Sequence, residues 1–490
     1  MRQVVETKDR QPLKLYLISL TEFWDRFGFY GLQALLVLYV TKVLLFSDSA
    51  AYSLYGTFTA LTFATGIVGG LLADRFLGAR HAILLGGVLM VVGNFLLFFP
   101  GLTGMYFGLS VLIIGIGLFK PNNANYVGAL YEKTDVRREG GFSLFYMAMN
   151  AGALLGPVLY GVISSHYGWH LSFLISAIGT AIALAIFIIK HHPETSVEKA
   201  SNFRVHRALW LGITSLHVVY AGVFIAIFLL VYLLQHSDIF GSLLILVGII
   251  TLIGIAVIAI KNDSVTRNHI IGITILSFFC LFFFAGSLQT ATTLTLFIER
   301  NINRTFFEMK IPTMMFLSLE PFFIIIIAPF VARVWTRLAR AGHDLFPSTK
   351  ILIGLSLAVI SFSIFALSAS LSQIEQGRWP LLLVVLGNAT LGLGELCILP
   401  VVFSTLTRVI PIHLRGTMMG VAFLAFAYSG YLAGAFAKII SAHSVVSIHQ
   451  HTVVNYSKAF IQVSISMLVI TLVMLCINPW LKRLLSEKAV

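Results

Sequence analysis

Apolar positions along this chain neither alternate nor recur at the spacing of a half-buried helix. They continue for about twenty residues at a time, the length at which a helix crosses the hydrocarbon core of a bilayer. Such runs predict fourteen spans, at 14–41, 51–73, 81–99, 104–130, 140–165, 171–190, 206–235, 240–260, 269–298, 311–337, 350–371, 380–407, 414–442 and 458–481. A transmembrane barrel is excluded because its strands alternate apolar and polar residues. The first residues, MRQVVETKDRQPLK, are polar and lack the apolar centre of a signal peptide, which predicts a short cytoplasmic tail.

The polar breaks organise the spans. The longest internal break, HHPETSVEKASNFRV at 191–205, separates six spans from eight. The next two spans form a hairpin with both ends on the same side, followed by a polar stretch at 261–268. Six, two and six predict an all-α major facilitator fold: two six-helix halves with an inserted helical hairpin. The expected divisions are a tail at 1–13, an N-terminal half at 14–190, a linker at 191–205, the hairpin at 206–268, a C-terminal half at 269–481 and a tail at 482–490. No strong sequence repeat relates the halves, so this symmetry rests on span count.

Composition agrees. Of 490 residues, 58% are hydrophobic and 11% charged, against about a quarter charged in a soluble domain. The net charge of +13 reads as basic inner loops rather than nucleic-acid binding. With the N-terminus inside, most Lys and Arg fall in cytoplasmic segments, which predicts two cytoplasmic termini. Cys280, Cys397 and Cys476 lie within apolar runs and carry no disulfide or zinc spacing.

Ionisable residues within spans are costly, at about 2.5–3.5 kcal/mol each at a helix centre, and default to function. Six qualify: Glu22, Asp25, Arg26, Lys120, Glu320 and Glu395. Glu22, Asp25 and Arg26 share one helical face, with Glu22 one turn before Arg26, the better order for an ion pair. Two acids against one base leave a carboxylate in excess that can load and release a proton; the bland alternative is a structural ion-pair cluster. Lys120 lies in GIGLFKPNNANYVG, where Pro121 is expected to kink the helix and Asn122, Asn123 and Asn125 to mark a wet surface. The plain alternative is a lysine snorkelling from a span end. Glu320, before Pro321, is expected about nine residues into its span, near the midplane. Glu395 lies in LGLGELCILP, which reads as a breakable helix. Both buried bases fall in the first half, and Glu320 and Glu395 in the second. A midplane cavity between such halves would suit a zwitterion with separated ends; alternatively, the charges pair across the halves as gate contacts.

These residues resemble the proton-dependent oligopeptide transporter family of the major facilitator superfamily. The family motif Glu-x-x-Glu-Arg-Phe-x-Tyr-Tyr-Gly is matched by Glu22-Phe-Trp-Asp25-Arg26-Phe27-Gly-Phe29-Tyr30-Gly31. GGLLADRFLGAR at 69–80 is similar to the loop between spans two and three. GIGLFKPNNANYVGALY and GFSLFYMAMNAGALLGP at 141–157 resemble the Lys-Pro-Asn stretch and the Phe-Tyr-x-x-Ile-Asn-x-Gly signature. FFFAGSLQTATTLTLFIERN and GELCILPVVFSTLTRVIP at 394–411 resemble the seventh and tenth core spans. The two-helix insert is that of bacterial members.

The resemblance implies a proton symporter importing di- and tripeptides by alternating access, in the bacterial inner membrane, acting as a monomer, not an enzyme, and with no cofactor besides the proton gradient. It implies that Glu22, Asp25 and Arg26 couple protons. Arg26 and Lys120 would face the peptide carboxylate, and Asn150 and Glu395 its amine. Tyr30, Tyr146, Phe284, Gln289, Glu320 and Ser404 would complete the substrate site.

Several positions depart from the family. Asp25 shortens a Glu, Phe29 and Phe63 each stand at a Tyr, Phe284 and Met315 each at a Trp, Leu288 at a Glu, Leu317 at a Gln and Glu320 at an Asn. The extra acid beside the amine position suggests a preference for a cationic group or a second protonation site; neutral drift is the alternative. The rival function is a proton-coupled carrier of a non-peptide solute such as nitrate or an amino acid derivative. Two acids in the second half disfavour nitrate. No zinc-protease or Walker motif is present, and isolated charges do not make the polar stripe of a channel. His191-His192 reads as a solvated linker.

Overall fold

The computed structural model describes residues 11–131, 137–190, 208–210, 213–306, 308–343, 345–374, 379–443, 445–448 and 451–486. The 191–205 linker and its two histidines lie outside them. Long helices dominate: α1 Leu13–Lys42, α2 Asp48–Leu72, α3 Ala79–Phe98, α4 Leu102–Ala129, α5 Arg138–Tyr167 and α6 Trp169–Lys190. The hairpin follows as α7 Ser215–Gln235 and α8 Ser237–Lys261. The remainder is α9 Ser264–Ser287, α10 Thr293–Asn301, α11 Leu319–Arg340, α12 Pro347–Ile374, α13 Trp379–Val409, α14 Ile412–His443 and α15 Tyr456–Leu485. Among the described residues, thirteen stretches are helical and apolar enough to cross a membrane, with α9 and α10 counted as one. The fourteenth expected span is α1, which is as long but whose charged triad lowers its hydropathy.

Some local expectations need correction. The seventh span starts at Ser215 rather than 206, because Ala208–Trp210 and Ile213–Thr214 pair as a short antiparallel ribbon. The ninth is broken by a 3-10 turn at Leu288–Ala291. In the tenth, a 3-10 segment Thr313–Ser318 precedes α11, which puts Glu320 in the first helical turn. There the positive end of the helix dipole suits a carboxylate. In contrast, α4 continues through Pro121 and α13 through Pro400, so neither proline breaks its helix. Asn122 and Asn123 are buried rather than wet. Asn122 donates to Leu118 O at 2.7 Å, one turn back, which satisfies its amide within the helix.

The chain divides into two compact units, residues Met1–Leu35 with Leu61–Gln235, and Leu36–Ala60 with His236–Val490. In the first, α3 packs along α4 and α6, α5 on α6, and α7 on α4. In the second, α12 packs along α13 and α15, α9 along α14, and α11 on α13. The hairpin is thus shared: α7 belongs to the first unit and α8 to the second. Helix α9 starts on a cap in which Asp263 accepts from the amides of Val265 and Thr266, both at 3.1 Å. These bonds, with the Thr266 hydroxyl, hold the Asp263 carboxyl below its ordinary range.

Candidate functional site

In the first unit, α1 displays its triad at one-turn spacing, and the structure completes it from α4. Arg26 Nε donates to Glu22 Oε1 at 2.9 Å, and Asn123 Nδ2 donates to Glu22 Oε2 at 2.6 Å. Both Glu22 oxygens are therefore occupied. Asp25, 0% exposed, has no hydrogen bond on either oxygen and lies 3.7 Å from Arg26 Nε. Helix α5 reaches this face because position 152 is glycine: a Cβ there would meet Arg26 Cβ at 2.9 Å and collide with the Phe23 carbonyl. Asn150, two residues earlier, spends its amide on Tyr146 O at 2.8 Å; the Tyr146 side chain is exposed.

Lys120 supplies the fourth charge. Its Nζ is buried without a hydrogen-bond partner and sits 4.0 Å from the centroid of the Phe29 ring and 5.3 Å from that of Phe63. The two residues that replace family tyrosines thus present ring faces to an ammonium. Lys120 also acts electrostatically on Asp25 and Glu22. The expected carboxylate excess is accordingly absent: two acids face two bases. Tyr30 is one turn beyond Arg26 and is felt by it electrostatically.

The second unit carries two acids that no cation among its described residues pairs with. Helix α11 approaches α13 closely at Gly392, where a Cβ would stand 3.3 Å from Glu320 O and from Ile324. This approach brings the Glu320 and Glu395 carboxyls close enough to act on one another. Ser287 Oγ donates to Glu320 Oε1 at 2.9 Å. Phe284, one helical turn before Ser287, packs its ring 4.8 Å from that of Phe426.

Two expected site residues are placed otherwise. Gln289 is 0% exposed; its Nε2 donates to Ala433 O at 2.9 Å and its Oε1 accepts from Thr293 Oγ1 at 2.9 Å. These bonds tie the break between α9 and α10 to α14 and to the start of α10, so its amide serves the fold. Ser404 is nine residues after Glu395 on the same helix and is exposed. Asn123 and Ser287 were missed as partners. The only signal for Asn123 was its three-residue spacing from Lys120, and Ser287 had none.

A second charged group in this unit joins the far ends of three helices. Arg300 grips Asp48 with two nitrogens at 2.6 and 2.8 Å and donates to Tyr456 Oη at 3.0 Å. Glu299 takes Lys42, Arg304 and the Thr313 hydroxyl. Lys42 ends α1 and Asp48 starts α2, so these ion pairs fasten the α1–α2 turn to α10. Bidentate guanidinium–carboxylate geometry makes the Asp48–Arg300 pair the stronger clasp. Asp48→Arg and Arg300→Asp are each expected to raise labelling of a cysteine placed in the α1–α2 turn by about tenfold, and the double exchange to restore it. Additive increases in the double variant would reject the clasp.

The chain is 29% identical over 487 residues to dipeptide and tripeptide permease B of Edwardsiella piscicida, covering 98% of this chain and 97% of the relative. It is 28% identical to the protein of the same name from Photorhabdus luminescens, covering 98% of each. A crystal structure of the peptide transporter POT in complex with sulfate superposes with a TM-score of 0.80 at 27% identity, covering 97% of this chain and 96% of that one. A POT family transporter in complex with 5-aminolevulinic acid gives 0.78 at 25% identity, covering 96% and 97%. The fold is therefore that of the major facilitator superfamily, in a multi-pass membrane protein. Residues 80–481 match the POT family, PTR2, and this chain belongs to that family.

Proposed function

We propose that this protein is a proton-coupled symporter that imports di- and tripeptides by alternating access, as a monomer in the bacterial inner membrane with both termini cytoplasmic. The observation that carries the reading is the four-charge group of Glu22, Asp25, Arg26 and Lys120. It contains one fully coordinated acid, one acid without a hydrogen bond and one ammonium without an acceptor. Protonation of Asp25 breaks no hydrogen bond, whereas protonation of Glu22 must disturb one. Asp25 is therefore the group that takes the proton, and Glu22 the group that orients Arg26.

With Asp25 neutral, the bases outnumber the acids. Arg26 and Lys120 are then available to the substrate carboxylate, while Glu395 and Glu320 offer a negative partner to its ammonium. Asp48–Arg300 and Lys42–Glu299 hold the far ends of α1, α2 and α10 together and must part when the outer side opens. Substrate and proton drive the cycle only if they favour the occluded state over both open ones.

The test is uptake of labelled Ala-Ala into proteoliposomes with the interior alkaline, with unlabelled Lys-Ala, tri-Ala, free Ala and nitrate as competitors. Gradient-dependent uptake blocked by di- and tripeptides and unaffected by nitrate is expected. Folded protein that takes up no peptide would transfer the assignment to a non-peptide solute.

A further inference from the structure

Behind the triad, on the side of α1 that faces α3 and α4, is a cavity of about 10 Å³ lined by Asp25 and Asn94 among Trp24, Met90, Leu112 and Ile116. That volume is about what one water requires. Both polar residues are almost fully buried, at 0% and 3% exposure, and both have unsatisfied oxygens: Oδ1 and Oδ2 of Asp25 and Oδ1 of Asn94. Asn94 is held in place because its Nδ2 donates to Met90 O at 2.9 Å, one turn back on α3. Gly28 keeps the space open. A Cβ there would lie 3.3 Å from Ser176 Oγ and 3.9 Å from Asn94 Nδ2, and Gly28 itself lines the cavity.

We infer that this cavity holds one water molecule, coordinated by Asp25 and Asn94, through which Asp25 exchanges its proton. The lining atoms left without a partner include three acceptors, Oδ1 and Oδ2 of Asp25 and Oδ1 of Asn94. A neutral water can satisfy two of them, whereas a hydronium ion, with three O–H groups, satisfies all three. The step balances: hydronium in the cavity gives one proton to the Asp25 carboxylate, leaving water and a neutral carboxyl group, and release runs in reverse. The charges acting on Asp25 are Glu22 and Arg26 on its own helix and Lys120 on α4; α3 offers it Asn94, and α6 the Ser176 beside Gly28, neither of which is ionisable. Asn94 is thus a positioning residue for the proton.

This inference rests on the assignment of Asp25 as proton acceptor, and the experiment separates the two. Reconstituted protein is given an acid jump and followed by time-resolved infrared in the carboxylic C=O region; the band lost in Asp25→Asn belongs to Asp25. In Asn94→Leu and in Gly28→Ala, that band is expected to rise about tenfold more slowly, the loss of roughly one hydrogen bond. Peptide counterflow is expected to persist, showing folded protein. Asn94→Ser, smaller but still an acceptor, is expected to keep nearly the original rate, which a purely packing role for Asn94 would not allow. An unchanged rate in both Asn94→Leu and Gly28→Ala overturns the water port while leaving Asp25 in place. If Asp25→Asn loses no band and still accumulates peptide, both the port and the Asp25 assignment fall.

Discussion

Asp25→Asn will equilibrate peptide across the membrane without concentrating it. With one proton per peptide, each pH unit of gradient is worth about 1.4 kcal/mol, or roughly tenfold accumulation; the variant is expected to reach a ratio of about one at any imposed gradient. The reason is local. Asp25 has no hydrogen bond on either oxygen, so an amide can replace its carboxyl with little disturbance, and the Glu22–Arg26 bond remains. Counterflow of peptide against peptide, which needs no proton, should continue. Glu22→Gln is expected to be more damaging. It removes the charge that Arg26 and Asn123 both address, leaving a buried guanidinium without its close acid, and both accumulation and counterflow should fall. Accumulation ratios measured at steady state under several inside-alkaline gradients decide this. Concentrative uptake by Asp25→Asn would remove Asp25 from the coupling step.

Glu395→Gln is expected to raise the KM for Ala-Ala by about ten- to a hundredfold, the loss of one charge-assisted contact to the peptide ammonium at about 1.5–3 kcal/mol. Glu320→Asn should act selectively. The Glu320 and Glu395 carboxyls lie close together and act on one another. Removing Glu320 leaves Glu395 to meet an ammonium alone, which is sufficient for Ala-Ala. A second cationic group, as in Lys-Ala, can use the second carboxylate only when Glu320 is present. The preference for Lys-Ala over Ala-Ala is therefore expected to fall by about tenfold in Glu320→Asn with Ala-Ala uptake nearly unchanged. Competition curves of the two peptides, in both proteins, give the ratio directly. Equal preferences would assign the Asn-to-Glu replacement to drift.

Much of the fold was legible because membrane insertion writes long signals. A run of twenty apolar residues can satisfy its backbone in lipid only as a helix, so each expected span is found as a helix within a few residues, apart from the seventh. That start failed because the residues before Ser215 are apolar enough to extend the run yet pair as a ribbon, and hydropathy does not distinguish the two. The breaks at Leu288–Ala291 and Thr313–Ser318 were illegible for a related reason: their side chains are ordinary for a span, and Gln289 and Pro312 act only in context. Conversely, Pro121 and Pro400 each lie inside a helix that continues through them. A proline costs one hydrogen bond, which a packed helix can absorb.

The charged residues of the site were visible for the same reason that the spans were, since an ionisable group in lipid stands out against its surroundings. Their partners were not. Asn123, Ser287 and Asn94 are neutral, small and common in membrane helices, and what makes each important is the atom opposite it. The sequence by itself determined that the chain spans a membrane many times, which family its motifs resemble, and which six ionisable residues lie in its spans. Only the tertiary structure decided that Lys120 balances the triad, that Glu22 is fully coordinated while Asp25 is bare, and that Glu320 and Glu395 meet. It also turned Gln289 to the fold. Hydropathy and charge are properties of single residues and accumulate along the chain, whereas a hydrogen bond exists only between two atoms brought within about 3 Å by helices that pack at glycines such as Gly152 and Gly392.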